Sequence, residues 1–149
     1  MKEQSNFHPF IKLFLRVAVS VGFLSAVADR FGLWPSEVSA WGNWQSFLEY
    51  TDLINPLVPD GLIPFLGIIA TSAEVLFALC LLTGFKTELF AKLSGTLLLV
   101  FALAMTFTLG VKSALDYSVY SAAAAAFGIT LFKEKYWELD KVLAYTNPD

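Results

Sequence analysis

The chain has 149 residues, of which 56% are hydrophobic and only 15% are charged. Its mean hydropathy is +0.62, and this composition excludes an ordinary water-soluble domain, in which about a quarter of the residues are charged. The net charge of -3 says little about the partners of such an apolar chain. We therefore expect an integral membrane protein whose main partner is the lipid bilayer, with no nucleic-acid partner.

Four apolar windows follow one another along the chain, at about 9–31, 61–84, 88–111 and 115–133. Each is close to the roughly 20 residues that a helix needs to cross a hydrocarbon layer of roughly 30 Å. Helices are favoured over barrel strands, because a helix satisfies its own backbone groups in lipid and no window shows the alternation of a barrel strand. No linker or repeat divides residues 1–149, so we predict one all-α membrane domain, an antiparallel four-transmembrane-helix bundle.

The distribution of basic residues predicts the orientation of these helices. One side of the predicted bundle carries Lys2, Lys12, Arg16, Lys86, Lys92, Lys133, Lys135 and Lys141, and the other carries Arg30 and Lys112. Because the side richer in Lys and Arg stays in the cytoplasm, both termini are predicted to be cytoplasmic. The membrane would be the cytoplasmic (inner) membrane of a bacterial-type cell.

The outer loop, residues 32–60, is long enough to carry structure of its own. Between the start signal Pro35-Ser36 and the stop signal Asn55-Pro56, the stretch 40–54 predicts a short amphipathic helix. Its apolar face consists of Trp44, Phe47, Leu48 and Ile54. We favour an anchor that lies on the outer membrane interface, and the alternative is a lid over a cavity.

Two charged residues, Arg16 and Glu74, are predicted to lie deep within the membrane helices. Counted from the cytoplasmic ends, Arg16 lies roughly 10 Å deep and Glu74 roughly 15 Å deep. An arginine side chain spans that difference, so we predict that Arg16 and Glu74 form an ion pair. Ser20 and Thr71 lie on the same helical faces and complete the candidate site. The pair is either a structural clamp or part of a ligand pocket, and the sequence leaves both interpretations open.

A second polar cluster is predicted near the outer interface. Its members are Asp29, Arg30, Lys112, Asp116, Tyr117 and Tyr120. Solvation at the lipid headgroups accounts for the charges more simply, and an interfacial aromatic belt accounts for the tyrosines. The chain has one histidine, His8, and no spacing typical of a metal, haem or flavin site. No catalytic residue can be assigned.

Two short motifs resemble those of the DoxX/DoxD family of small four-helix membrane proteins. The first helix of that family typically carries R-x3-G-x2-F, a patch of small residues and then D-K, and the second carries a Glu before a G-x-[RK] turn. The matching residues here are Arg16, Phe23, Ala26, Asp29, Arg30, Glu74, Gly84 and Lys86, with Arg30 in place of the lysine. The resemblance implies a four-helix membrane protein and gives two functional hypotheses.

In the first hypothesis, the chain is a subunit or accessory of a quinone-linked or thiol oxidative-stress redox system, and at most a membrane subunit of an oxidoreductase. A quinone is then the candidate ligand of a polar site at Arg16 and Glu74. In the second, the chain is a non-catalytic membrane assembly factor or a chaperone-like partner protein, and the pair fixes the bundle. Other membrane or redox subunits, and a second copy of the chain, are the candidate protein partners.

Overall fold

The computed structural model describes residues 7–146, except for the side chains of residues 144–146. Within this range every regular element is helical, which confirms the predicted all-α class. The helices are α1 (His8–Arg30), α2 (Trp44–Ile54), α3 (Ile63–Thr83), α4 (Thr87–Leu109), α5 (Val111–Asp116), α6 (Val119–Ile129) and α7 (Leu139–Thr146). A 3-10 turn at Asp60–Leu62 leads into α3. Lys2, which the orientation prediction counts, lies outside the described residues.

Among the described residues, three helical stretches are long and apolar enough to cross a membrane, namely His8–Arg30, Asp60–Thr83 and Thr87–Leu109. These three candidate spans agree with the membrane character predicted from composition. The prediction of one continuous helix over 115–133 is wrong. The chain turns at Ser118, whose φ of 55° is left-handed, and α6 then continues for only 11 residues, about 16 Å.

Helices α1 and α3 pack antiparallel through small and polar side chains. Ser20 of α1 donates a hydrogen bond to the Ala78 carbonyl of α3 (3.1 Å). Arg16, one turn earlier in α1, donates to the Leu81 carbonyl further along α3 (2.8 Å). The two helices are therefore joined by hydrogen bonds inside the apolar region, where water does not compete for the donors.

A tight turn joins α3 to α4, so these helices are also antiparallel. Gly84 closes α3 with a φ of 72°, a conformation that a side chain disfavours. A Cβ atom at this position would lie 2.6 Å from the Glu138 Cα atom. Glycine is therefore required here by both the backbone conformation and the segment that packs against the turn.

Helix α6 packs antiparallel against α4. A Cβ atom on Gly95 of α4 would lie 2.8 Å from the Phe127 ring of α6, and the hydroxyls of Thr106 and Tyr120 are 2.9 Å apart. The main core then joins α1, α3, α4 and α6 through Val19, Phe23, Ala78, Leu81, Ala91, Ala126 and Ile129. Small side chains let these backbones approach closely, as the glycine and alanine stripes in the sequence indicate.

The helix expected within 40–54 is present as α2, and it ends before Asn55 as expected. It begins at Trp44, later than the Pro35-Ser36 signal indicated, because the Asn43 side chain accepts a hydrogen bond from the Ser46 amide (2.9 Å) and caps it. We call the end of the molecule that carries α2, α5 and the segment 31–62 the loop end.

The opposite end carries the α3–α4 turn, the start of α1 and the described C-terminal segment, and we call it the turn end. The Asp140 carboxylate accepts hydrogen bonds there from the amides of Lys86 (2.7 Å) and Thr87 (3.0 Å), at the start of α4. The His8 ring meets the Phe132 ring edge-on at 5.7 Å. Residues near both chain ends therefore lie at the same end of the helices.

Candidate functional site

A buried salt bridge joins Arg30, the last residue of α1, to Glu74 in the middle of α3. Arg30 Nη2 donates to Glu74 Oε1 (2.9 Å), and Nη1 lies 2.7 Å from Oε2. Nη1 also donates to the Thr71 hydroxyl, one turn earlier in α3 (2.7 Å). The two charged side chains are only 4% and 2% exposed. The arginine fork thus neutralises a carboxylate that would be costly to bury alone.

The prediction that Glu74 pairs with Arg16 is therefore wrong, because a different arginine supplies the cation. Because α1 and α3 run antiparallel, Arg16 lies level with Leu81 and Leu82, and Arg16 donates to both of their carbonyls. Glu74 lies about 10 Å closer to the start of α3. Arg30, which the sequence analysis placed in the outer polar cluster, supplies the guanidinium instead.

Arg16 serves a different purpose at the turn end. Its Nε and Nη2 atoms donate to the carbonyls of Leu81 (2.8 Å) and Leu82 (3.0 Å), in the last turn of α3, where carbonyls lack helical partners. Its Nη1 atom donates to the carbonyls of Tyr136 and Trp137, both at 3.1 Å. The side chain is 0% exposed. Arg16 therefore fixes the C-terminal segment against the helices.

Lys12, one turn before Arg16, takes part in the same arrangement. Its ammonium lies 2.5 Å from the Glu138 carboxylate and donates to the Glu134 carbonyl (2.8 Å). Arg16 Nη1 lies 3.9 Å from the same carboxylate. Sequence reasoning missed Glu138 because it follows the last apolar window. The available signal was the i, i+4 spacing of Lys12 and Arg16, which places two cations on one helical face.

The four residues predicted for the intramembrane site are thus divided among three places. Glu74 and Thr71 meet at Arg30. Arg16 lies at the turn end, and Ser20 joins α1 to α3 through the Ala78 carbonyl.

The predicted outer cluster is likewise not brought together as one site. Asp29 holds the segment before α2: its carboxylate accepts hydrogen bonds from the Ser39 hydroxyl and from the amides of Ala40 and Trp41, both at 2.9 Å. Arg30 turns toward Glu74 instead. The neighbouring residues Asp29 and Arg30 therefore fix the outer loop and the ion pair at the same time.

The remaining members of that cluster lie apart. Lys112 and Asp116 form an exposed i, i+4 pair on α5 at 2.5 Å. The Tyr120 hydroxyl meets Thr106 of α4, and Tyr117 is 69% exposed. An exposed pair of this kind contributes little to stability.

Aromatic rings cover the guanidinium of Arg30. The Phe47 ring centroid of α2 lies 4.0 Å from Arg30 Cζ, and the Trp41 centroid lies 5.4 Å away. A desolvated cation against an aromatic face is stabilised by about 2 kcal/mol. Helix α2, interpreted from sequence mainly as an interfacial anchor, is therefore in direct contact with the buried charge.

A partly open cavity of about 1110 Å³ lies beside this ion pair, between α2 and the helices α1, α3, α4 and α6. Its wall is mostly apolar and includes Phe23, Leu66, Leu98, Phe101, Met105 and Val119. Its polar lining includes Arg30, Glu74, Tyr50 and Asn55. Burial, with a smaller contribution from Tyr117, raises the pKa of Tyr50, so its hydroxyl stays protonated and able to donate. The cavity combines a long apolar wall with a few polar groups, as small-molecule sites do.

The described residues thus form an all-α protein with three candidate membrane spans and a large, partly open cavity beside a buried ion pair. No known family model matches the chain, and no characterised protein or solved structure is significantly similar to it.

Proposed function

We propose that the chain is an integral membrane protein that binds a small amphipathic molecule, such as a quinone, in the cavity beside Arg30 and Glu74. The observation that carries this proposal is the cavity itself, whose volume of about 1110 Å³ adjoins a buried ion pair. A core built only to clamp helices together would be filled at this place. Typical small-molecule pockets measure about 300–1,000 Å³, so the space suits a ring with an attached alkyl chain.

The chemistry of the lining supports an amphipathic ligand. The apolar wall, which includes Leu98, Phe101 and Met105, would take the hydrocarbon part. Arg30 and Tyr50 carry hydrogen-bond donors suited to the carbonyl oxygens of a headgroup. Glu74 would accept from a hydroxyl, such as that of a reduced quinone.

The resemblance to the DoxX/DoxD family suggests the biological setting. Asp29, Arg30 and Glu74 belong to the matching motifs, and here they build the ion pair and hold the loop above it. In the proposed role the chain is a subunit or accessory of a quinone-linked or thiol oxidative-stress redox system. It would bind the quinone and present it to a partner subunit, which would carry out the electron transfer.

We further propose that α6 and its flanking residues complete a fourth membrane crossing. Contacts at two levels of α4 support this: Tyr120 meets Thr106, and Lys133 lies 3.3 Å from Glu88. The stretch of α4 between these two contacts rises about 27 Å, close to the hydrocarbon thickness. The result would be the antiparallel four-helix bundle.

We also propose an orientation in a bacterial-type cytoplasmic membrane, which the charges at the turn end support. Lys12 and Arg16 are committed to buried contacts there. The remaining basic residues of the described turn end are Lys86, Lys92, Lys133, Lys135 and Lys141. These support a cytoplasmic turn end, with both chain termini on that side.

A second candidate function is a non-catalytic assembly factor or chaperone-like partner protein. It is favoured by exposed apolar side chains in the segment between α1 and α3, where Leu33 is 75%, Val38 70% and Leu57 96% exposed. Exposed apolar surface of this kind is typical of contact with lipid or with a partner protein.

The direct test is ligand binding to the purified protein in detergent. Decylubiquinone is titrated while the unfolding temperature and the tryptophan fluorescence are followed, since Trp41 and Trp34 line the cavity. We expect a rise in unfolding temperature and quenching in the wild type. Both effects should be weaker in Glu74→Gln.

Two controls separate binding from partitioning into the detergent. Glu88→Gln makes the same substitution at an exposed carboxylate on α4 and should behave like the wild type. Decanol, which has the chain without the quinone ring, should give a smaller shift. Equal responses to both compounds, or no response in any variant, would overturn the proposed function.

A further inference from the structure

Helix α2 covers the ion pair through one buried residue. Phe47 is 6% exposed, and its ring lies 4.0 Å from Arg30 Cζ. Polar and exposed residues, among them Gln45 and Asp52, occupy the opposite side of α2. The helix is therefore amphipathic, and its apolar side covers charged groups and the cavity beside them.

Two polar atoms beneath α2 lack complete hydrogen bonding. Arg30 Nε has no hydrogen-bond partner among the described residues. Glu74 Oε2 lies 2.7 Å from Arg30 Nη1 but makes no hydrogen bond of acceptable geometry. Buried polar groups left in this state are unfavourable. With α2 in this position, one donor and one acceptor therefore stay buried without a hydrogen-bond partner among the described residues.

The close packing of α2 against α3 depends on a glycine, and we call this contact at Gly67 the seat of α2. A Cβ atom on Gly67 would lie 2.7 Å from Leu48 Cδ2 and 3.2 Å from Phe47 Cε1. Glycine therefore lets α2 approach the α3 backbone closely. No hydrogen bond between α2 and α3 is seen among the described residues, so apolar packing and the Phe47 contact hold α2 in place.

Both ends of α2 are short non-helical junctions where the backbone changes direction. Gly42, with a φ of 70°, lies between Trp41, whose amide is fixed by Asp29, and the capping residue Asn43. At the other end the helix stops at Asn55, before Pro56. Hinges often use a few residues at element ends that absorb backbone rotation.

We propose that α2 is a lid that must leave its seat on Gly67 to admit the ligand's polar headgroup to Arg30 and Glu74. In the open position Phe47 leaves the guanidinium. Arg30 Nε then donates to the headgroup, and Glu74 Oε2 accepts from it. The lid returns over the bound headgroup and keeps water out. This inference rests on the proposed function, because it assigns the entry route to the same cavity.

A disulfide across the seat tests the lid. Leu48→Cys and Gly67→Cys are introduced together in a Cys80→Ala background, which removes the one native cysteine. The Leu48 substitution removes the side chain that a Cβ at position 67 would meet most closely, so the two positions are suited to a cross-link. The protein is prepared reduced and oxidised, and each single-cysteine variant is treated with the same oxidant as a control.

Rapid mixing with decylubiquinone, followed by tryptophan quenching, gives the rate of association. We expect the oxidised double variant to bind at least about tenfold more slowly than the reduced form, with no such change in the single variants. The unfolding transition of the oxidised form confirms that the lock has not disrupted the fold.

The outcomes separate the two proposals. Equal association rates in the oxidised and reduced forms would overturn the lid and leave the proposed function intact. No quenching in the reduced double variant, the single variants and the wild type would overturn the proposed function and the lid with it.

Discussion

Arg30 at the end of α1 and Glu74 in the middle of α3 form a buried salt bridge, with Nη1 2.7 Å from Oε2 and Nη2 2.9 Å from Oε1. Thr71 accepts from the same guanidinium, and Phe47 covers it. One cation therefore links α1, α2 and α3, three of the five helices that line the cavity.

Removing one member of this pair should destabilise the protein strongly. Arg30→Met leaves the Glu74 carboxylate buried without its cation, and we expect a loss of about 3–5 kcal/mol in the free energy of unfolding. The double variant Arg30→Met/Glu74→Leu should recover much of that loss, because neither charge remains. Equilibrium unfolding in mixed micelles compares the wild type with both variants.

The matched control is the exposed pair on α5. Lys112→Met should change stability by less than about 1 kcal/mol, since its ammonium and Asp116 are solvated. If Arg30→Met and Lys112→Met cost the same, the buried pair does not contribute as the geometry indicates.

Arg16 should be energetically independent of Glu74. Arg16→Gln removes hydrogen bonds to four carbonyls, so we expect a clear loss of stability and faster hydrogen exchange in residues 136–140. Adding Glu74→Leu should give an additive loss. Rescue of Arg16→Gln by Glu74→Leu would contradict the separation of the two sites.

The glycines at positions 84 and 22 should respond differently to the same substitution. Gly84→Ala forces a side chain into a left-handed conformation and against Glu138 Cα, so we expect a loss of about 1–3 kcal/mol. Gly22→Ala places a methyl group where nothing lies within 4 Å and should be neutral or slightly stabilising. Thermal unfolding of both variants checks this. An equal effect would argue against the close contact between the turn and Glu138.

Thiol labelling should place the loop end and the turn end on opposite sides of the membrane. In a Cys80→Ala background, Leu57→Cys lies at a 96% exposed position of the loop end. It should react with an impermeant maleimide in intact cells. Lys135→Cys, at the turn end, should react only after the membrane is opened. Labelling of both positions from outside would contradict the proposed orientation.

The helix in the outer loop could be predicted because its signals are local. The spacing of Phe47 and Leu48 and the stop at Asn55 are properties of neighbouring residues. The interruption of the helix at Ser118 could not be predicted, because an apolar stretch has the same hydropathy whether or not its helix is continuous. The contact of Phe47 with Arg30 was missed for a related reason: amphipathicity shows which face is buried, but not what lies beneath it.

The sequence by itself determined that this is a helical membrane protein, because the free energy of transfer into lipid is close to a sum over residues and can be read without knowing the fold. It also identified Glu74 as a residue that needs a partner. Only the tertiary structure decided that the partner is Arg30, while Arg16 holds the C-terminal segment, and that a cavity lies beside the pair. The physical reason is that ion pairing and empty volume depend on how the helices are shifted and rotated against one another, and on how far each side chain reaches. That information cannot be obtained by counting residues along one helix.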